Sequence, residues 1–183
     1  MDNEQLARRQ RHSSFSIFHS PLSIQLNNNL PYYITAKEGI IMRTKDNNCA
    51  YCVHGDPLAV FGIYICDLSD FSSLYLFKEQ SHPGRVIVAP KEHIEDLTEL
   101  TDDERNTFFA DVARASRAIK AVFHPAKVNY GAYNDKGHHM HFHLVPKYDG
   151  EYEFGGVFAM NPGLVKLSDA EYADMIERIK AAL

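Results

Sequence analysis

The chain has 183 residues, 45% of them hydrophobic, which is enough apolar material for one domain with a buried core. Its formal net charge of −5 argues against a surface that wraps nucleic acid and favours a small ligand bound in a local site. No run approaches the roughly 18 consecutive apolar residues of a membrane span, so we expect no membrane partner.

The first part of the chain differs from the rest. Residues 1–41 contain a basic start, a serine-rich middle and the run Asn27–Asn29, and they show no sustained helical or strand period. We expect residues 1–44 to form a loosely ordered extension and residues 45–183 to form the domain. Met42 is a candidate start codon.

Three strands are predicted in the first half of the domain. Apolar residues alternate between positions 61 and 66, and two β-prone runs follow at Ser73–Phe77 and Arg85–Ala89. His82-Pro83-Gly84 provides the turn between those two runs, and Pro90 ends the third strand.

Two helices are predicted from capping boxes. Thr101–Glu104 opens a long helix that Pro125 stops, and Ser168–Glu171 opens a last helix. Each is followed by an apolar stripe at helical spacing, with these members: Phe108, Val112, Ala115, Ile119 and Val122 in the first, and Tyr172, Met175, Ile176, Ile179 and Leu183 in the second.

Between the helices we expect a strand at Lys127–Tyr133, a turn at Asn134–Gly137 and then a strand rich in histidine. No βαβ alternation, internal repeat or domain linker is present. The pattern therefore predicts an α+β domain. It would hold about five mainly antiparallel strands, with one long helix on a face and a C-terminal helix.

Two of the three cysteines form the motif Cys49-Ala50-Tyr51-Cys52. Without a secretory signal, this spacing favours a cytoplasmic protein and metal or redox chemistry over a disulfide. Two thiolates do not complete a tetrahedral zinc site. The candidates for the remaining ligands are His54, His82, His93, His138 and His139; the alternative is an ordinary turn with two surface thiols. The third cysteine, Cys66, falls on a predicted strand and is expected to be a small buried residue.

The segment His139-Met140-His141-Phe142-His143-Leu144-Val145 places three histidines on one face of an extended strand and apolar residues on the other. The outer two histidines would stand about 13 Å apart, too far for one metal ion to bind all three. The row suits an extended anion, with a separate task for each imidazole. A histidine-rich strand without chemistry is the alternative, but burying three imidazoles together without a ligand would be costly.

This segment resembles the signature of the histidine triad (HIT) family of nucleotide hydrolases and transferases. Transferase branches replace the third histidine with glutamine, so His143 is typical of the hydrolase branch. The resemblance implies an antiparallel sheet of the family type and a homodimer. Zinc-binding members use two cysteines, a histidine in a Pro-Lys-x-His segment and the first triad histidine. Carried over, the ligands of a structural Zn²⁺ are Cys49, Cys52, His93 and His139, with His54 as the main rival.

The resemblance also implies catalytic roles. His141 would attack the α-phosphorus as a neutral imidazole, while its other ring nitrogen donates to the backbone carbonyl of His139. His143 would donate to a phosphate oxygen, and so bind substrate as well as stabilise charge in the transition state.

Several positions depart from the family pattern. Arg85 replaces a fourth histidine, and we expect it to bind phosphate through its planar guanidinium. Lys136 or His138 takes the place of a phosphate-binding Gly-Gln-Ser/Thr segment, and Asn129 matches a strand asparagine near the phosphate. Phe77 falls where the family holds the ribose, so the sequence does not indicate how a nucleoside is recognised.

The sequence thus predicts an enzyme, a hydrolase that cleaves phosphoric anhydrides or phosphoramidates at the α-phosphate of a small nucleotide. Dinucleoside polyphosphates and adenylated small molecules are the leading substrates. Two alternatives stay open. One is a nucleotide-binding regulatory protein of the same fold with negligible turnover, and the other is a metalloenzyme with a catalytic ion on His139 and His141.

Overall fold

An antiparallel sheet lies at the centre of the computed structural model, which describes residues 34–36, 39–41, 43–163 and 165–183. The five strands are β3 (Gly62–Asp67), β4 (Ser72–Phe77), β5 (Val86–Pro90), β6 (Lys127–Gly131) and β7 (Phe142–Lys147). They lie in the order β3-β4-β5-β7-β6, and each neighbouring pair is antiparallel. The predicted α+β class and five-stranded sheet are confirmed.

Two short strands, β1 (Ile34–Ala36) and β2 (Gly39–Ile41), pair with each other. They fall inside the predicted extension, most of which lies outside the described residues, so the boundary at residue 44 stays a prediction. Two one-turn helices that the sequence did not predict, α1 (Ala50–Val53) and α2 (Asp56–Ala59), precede the sheet.

The long helix α3 (Asp102–Phe123) and the last helix α4 (Asp169–Ala181) begin at the predicted capping boxes. Thr101 Oγ1 accepts from the amide of Glu104, whose carboxylate accepts from the amide of Thr101 at 2.8 Å. These bonds satisfy amides that the first helical turn leaves unpaired. Within the described ranges, every helix is too short or too polar to cross a membrane.

The sheet has two different faces. On one, α3 and α4 pack their apolar stripes against residues such as Leu74, Val88 and Leu144, all fully buried. On the other, Tyr51 and Leu58 from the short helices pack against Tyr75, Phe77 and Ile87 in a second cluster. The helices thus close one face, which leaves the second face to hold the site.

The turn between β4 and β5 lies where the sequence predicts it. Gly84 has φ +86°, and a Cβ there would collide with the ring of Phe123, so only glycine fits. The amide of Arg85 then donates to the carbonyl of His82 at 3.1 Å. This turn sets the position of Arg85 just before β5.

Candidate functional site

Four side chains of types that can bind a metal ion meet on the face of the sheet opposite α3 and α4. The sulfurs of Cys49 and Cys52 and one ring nitrogen each of His93 and His139 all lie within 4.8 Å of one another. Cys49 Sγ is 3.3 Å from His139 Nδ1, and Cys52 Sγ is 3.3 Å from His93 Nδ1. Donors around a tetrahedral zinc ion stand about 3.3–3.8 Å apart, so these donors fit such an ion.

Local structure explains how the four residues converge. Cys49 is the N-cap of α1 and Cys52 lies on that single turn, which turns both sulfurs to one side. His93 follows β5, and His139 precedes its neighbour β7. His139 Nε2 donates to the carbonyl of Pro90 at 2.9 Å, which leaves Nδ1 bare towards the cysteines, as a metal-binding imidazole requires.

The set that comes together is the one the resemblance implied. Where the structure describes the chain, His54 lies outside the cluster, is exposed, and stands near the rings of Tyr64 and Tyr75. Tyr51, between the two cysteines, packs at 5.0 Å from the His139 ring and at 5.2 Å from the His141 ring. It thereby joins the cysteine turn to the histidine segment.

The prediction that all three histidines lie within one regular strand is wrong. Strand β7 begins only at Phe142, because the amide of Met140 donates to the carbonyl of Ile94 and the His139 side chain is bonded to Pro90. The alternation of faces nevertheless holds. Met140, Phe142 and Leu144 pack in the helix-covered core, while the histidines line a cavity on the other face.

His141 is held in one orientation by its own chain. Its Nδ1 lies 2.8 Å from the carbonyl oxygen of His139. Since that oxygen can only accept, Nδ1 carries the proton and Nε2 has a free lone pair. Burial lowers the pKa of His141, although the bond to the carbonyl opposes the shift, so the ring is neutral near pH 7.

His143 is buried beside it, and the two rings stand 5.1 Å apart. Burial, followed by the charge of Arg85, lowers the pKa of His143 to about 2. Arg85 Nη2 lies 3.3 Å from His143 Nδ1, and the guanidinium stacks 4.1 Å above the ring centre of Phe77.

The cavity in front of these histidines has a volume of about 560 Å³, within the range of small-ligand sites. Its lining includes both predicted candidates from the turn before the triad, Lys136 and His138. The lining also includes five residues that the sequence analysis did not assign to the site: Phe61, Ile87, Tyr133, Met160 and Asn161. For Phe61 and Tyr133, the only available signal in the sequence was an aromatic residue lying between the candidate metal-ligand motifs. For residues 160–161, the sequence contained no signal that they line the cavity.

Two predicted substrate-binding residues lie elsewhere. Among the described residues, Arg85 is not part of the cavity lining; it is fully buried behind His143. Asn129 lines a smaller cavity of about 250 Å³ together with Lys127 and Lys147. Asn129 pairs in register with Val145, two residues beyond His143, which places it further along the sheet from the triad.

Comparison with known proteins agrees with this arrangement. A model of the HIT domain matches residues 70–150. The Protein hit of Bacillus subtilis is 31% identical over 104 residues, which cover 53% of this chain and 70% of the relative. The chain belongs to the histidine triad (HIT) family.

Two further HIT-related matches bear on the site. The AP-4-A phosphorylase of Mycobacterium tuberculosis is 33% identical over 79 residues, 40% of this chain and 40% of that protein. The crystal structure of a Zn-bound histidine triad family protein from Mycobacterium smegmatis superposes with a TM-score of 0.54 at 22% identity. The superposition covers 74% of this chain and 92% of that one. The five-stranded sheet described above is thus the sheet of a HIT protein.

Proposed function

We propose that this HIT protein is a nucleotide hydrolase that cleaves at the α-phosphate through a covalent nucleotidyl-histidine on His141. The observation that carries the proposal is the 2.8 Å bond from His141 Nδ1 to the His139 carbonyl. It leaves an unprotonated nitrogen on a fixed, neutral imidazole that lines an open cavity. An imidazole in this state is a competent nucleophile near pH 7.

The reaction proceeds in two displacements. The lone pair of His141 Nε2 forms an N–P bond, and the bond from phosphorus to the leaving group breaks with its electron pair. A water molecule then attacks phosphorus and releases one proton to the solvent. The N–P bond breaks, its electron pair returns to His141 Nε2, and the nucleoside monophosphate departs. His143, 5.1 Å from His141 between ring centres, donates to a non-bridging oxygen, where negative charge accumulates in both steps.

The cavity supports a small nucleotide as substrate. Lys136 offers a cation for a phosphate group, and Phe61, Tyr133 and Met160 offer apolar surface for a base or a leaving group. Phe77 occupies the expected ribose position and packs on Arg85, so we expect weak discrimination between ribose and deoxyribose. The name of the M. tuberculosis relative fits a dinucleoside polyphosphate, and adenylated small molecules are the second candidate.

We also propose that Cys49, Cys52, His93 and His139 hold a structural Zn²⁺. Four protein donors close a tetrahedral site and leave no position for substrate, so the ion would link three segments of the chain. The carbonyl that orients His141 belongs to His139, so the ion would also steady the nucleophile. With His139 Nδ1 directed at the cysteines and His141 Nδ1 bonded to a carbonyl, a catalytic ion shared by His139 and His141 is disfavoured.

We further propose a homodimer in the cytoplasm. Strand β6 is an edge of the sheet, and its Tyr130 is 51% exposed. Phe109 on α3 and Tyr133, two residues beyond β6, are also exposed large hydrophobic residues. An exposed aromatic residue on an edge strand favours pairing with a second chain.

Turnover of a panel of fluorogenic adenylates and dinucleoside polyphosphates tests the proposal. The wild type is compared with His141→Asn and with the control variant His54→Asn. His54 is exposed and lies outside the metal cluster. We expect His141→Asn to lose at least 10³-fold in kcat while still binding nucleotide, and His54→Asn to match the wild type. Binding without turnover in the wild type would instead identify a regulatory nucleotide-binding protein.

A further inference from the structure

Arg85 is a buried cation directly behind the candidate phosphate-binding histidine. Its side chain is fully buried, and Nη2 approaches His143 Nδ1 at 3.3 Å. Burial lowers the pKa of Arg85 to about 10, with the charges of Glu79 and Glu153 opposing the shift, so the guanidinium remains charged near neutral pH. A charge in this position is costly to bury and needs specific partners.

A guanidinium has donors and no acceptor, and it does not lose its proton at neutral pH. In its contact with His143, the imidazole nitrogen must therefore accept. If Nδ1 accepts, the single proton of the neutral ring is on Nε2. The same positive charge disfavours a second proton on the ring.

We infer that Arg85 is a positioning residue that fixes His143 as the Nε2–H tautomer, a ready donor to the substrate phosphate. Arg85 thus acts through His143 and does not contact the nucleotide, which replaces the direct phosphate contact expected from the sequence. The catalytic role of this tautomer, as a donor to the substrate phosphate, rests on the proposed function. The tautomer itself is a property of the free protein.

The remaining contacts of Arg85 hold the guanidinium in this place. Nη2 donates to the carbonyl of Met160 at 2.8 Å, and Nη1 donates to the carbonyl of Ala159 at 3.4 Å. The faces of the guanidinium stack on Phe77 at 4.1 Å and on Phe158 at 5.2 Å. Arg85 therefore also fastens residues 159–160 to the sheet, and a useful test has to separate this structural task from the effect on His143.

Two substitutions at Arg85 and one control separate these tasks. Arg85→Met removes the charge and the donors but retains much of the volume, whereas Arg85→Lys retains N–H donors at the end of the side chain. Arg114 also donates to distant backbone carbonyls, those of Leu68 at 2.7 Å and Leu183 at 3.3 Å. Arg114→Met therefore removes hydrogen bonds to backbone carbonyls that are comparable to those of Arg85 but do not involve His143.

The measurement is a long-range ¹H–¹⁵N NMR correlation of the histidine rings in ¹⁵N-labelled protein at one pH near 7.5, with His143 assigned by His143→Gln. We expect only the Nε2–H pattern at His143 in the wild type, Arg85→Lys and Arg114→Met, and both tautomers in Arg85→Met. With a substrate that the wild type hydrolyses, kcat of Arg85→Met should fall about 10- to 100-fold and KM should change less than 3-fold. Arg85→Lys should recover most of the rate.

An Nδ1–H pattern at His143 in the wild type would overturn the inference, and this spectrum is sufficient even if Arg85→Met fails to fold. A pure Nε2–H pattern in folded Arg85→Met would overturn it equally. If no adenylate is hydrolysed, the proposed function fails while the NMR result still decides the role of Arg85. If turnover is normal but the wild-type His143 ring populates both tautomers, only this inference fails.

Discussion

The carbonyl oxygen of His139 accepts a hydrogen bond from Nδ1 of His141 at 2.8 Å, while the side chain of His139 belongs to the Cys₂His₂ cluster. One residue therefore contributes its ring to the candidate metal centre and its backbone to the candidate nucleophile. The two sites are separate in chemistry but share one short piece of backbone. Loss of the metal should consequently affect both stability and the orientation of His141.

Substitution of one cysteine tests the metal centre. Cys49→Ser should lower the zinc content from about one ion per chain towards zero, and it should lower the melting temperature because three segments lose their link. Metal analysis and thermal unfolding measure both effects. Cys66→Ser is the matched control, since Cys66 lies on β3 outside the cluster. Protein that is purified without chelators, contains no metal and is still stable would exclude a structural zinc site.

Stability should depend on pH through His143. The unfolded chain binds a proton to this residue as the pH falls through about 6.5, whereas the folded protein, with a pKa of about 2, does not. The unfolded state thus binds more protons, and stability is lost as the pH falls below about 6.5. Between pH 7.5 and pH 5 the wild type should lose about 2 kcal/mol more than His143→Gln, both saturated with zinc.

Denaturant unfolding at the two pH values measures this difference. A wild type and a His143→Gln variant that lose equal stability would show that His143 titrates normally in the folded protein. A larger loss in the variant would contradict the sign of the shift.

Arg43 anchors the segment that leads into the cysteine turn. Its guanidinium is paired with the carboxylate of Glu104, which completes the capping box of α3, and donates to the carbonyl of Glu99 at 2.6 Å. Both side chains of the pair are largely buried, so Arg43→Ala should cost about 1–3 kcal/mol in the free energy of unfolding. Arg105→Ala, which removes an exposed pair with Asp102 on the same helix, should cost less than about 1 kcal/mol.

The first 41 residues show no sustained period, and we expect them to be dispensable for folding. A shortened protein that begins at Met42 retains Arg43 and should melt within a few degrees of the full chain. A much lower melting temperature would show that the removed residues contribute to the fold.

Equal costs for Arg43→Ala and Arg105→Ala would show that the Arg43 anchor contributes nothing.

The proposed dimer is tested at the free edge of the sheet. Tyr130→Glu places a charge on β6 and should shift the protein from dimer to monomer in analytical ultracentrifugation. Tyr64→Glu, an exposed tyrosine on the opposite edge strand β3, should leave the assembly unchanged. A wild type that sediments as a monomer at micromolar concentration would contradict the dimer.

The elements with local signals were predictable from the sequence. Helices α3 and α4 begin at Thr101 and Ser168 because their capping boxes satisfy specific amides. Strand β3 follows from the alternation of apolar residues at 61–66, and β4 and β5 follow from continuous β-prone runs. The resemblance to the HIT family selected His93 and His139, among five candidate histidines, as partners of Cys49 and Cys52. The structure brings these four side chains together.

The features that were missed depend on contacts distant in sequence. The start of β7 is displaced to Phe142 because Ile94 and Pro90 compete for the backbone and side chains of the preceding residues. Arg85 is buried because residues 158–160, some 75 positions later, fold over it. Neither contact has a signature in the local pattern, and so a sequence-based interpretation placed Arg85 in the phosphate site.

In the proposed mechanism, His141 becomes covalently bonded to phosphorus during turnover. Rapid-quench mixing of the enzyme with a radiolabelled adenylate, stopped in base because N–P bonds are labile in acid, followed by peptide mapping, tests this claim directly. We expect label on His141 within the first turnover, at a rate at least equal to kcat, and none in His141→Asn. Full turnover without any label on His141 would mean that water attacks the phosphate directly, and it would contradict a covalent nucleotidyl-histidine.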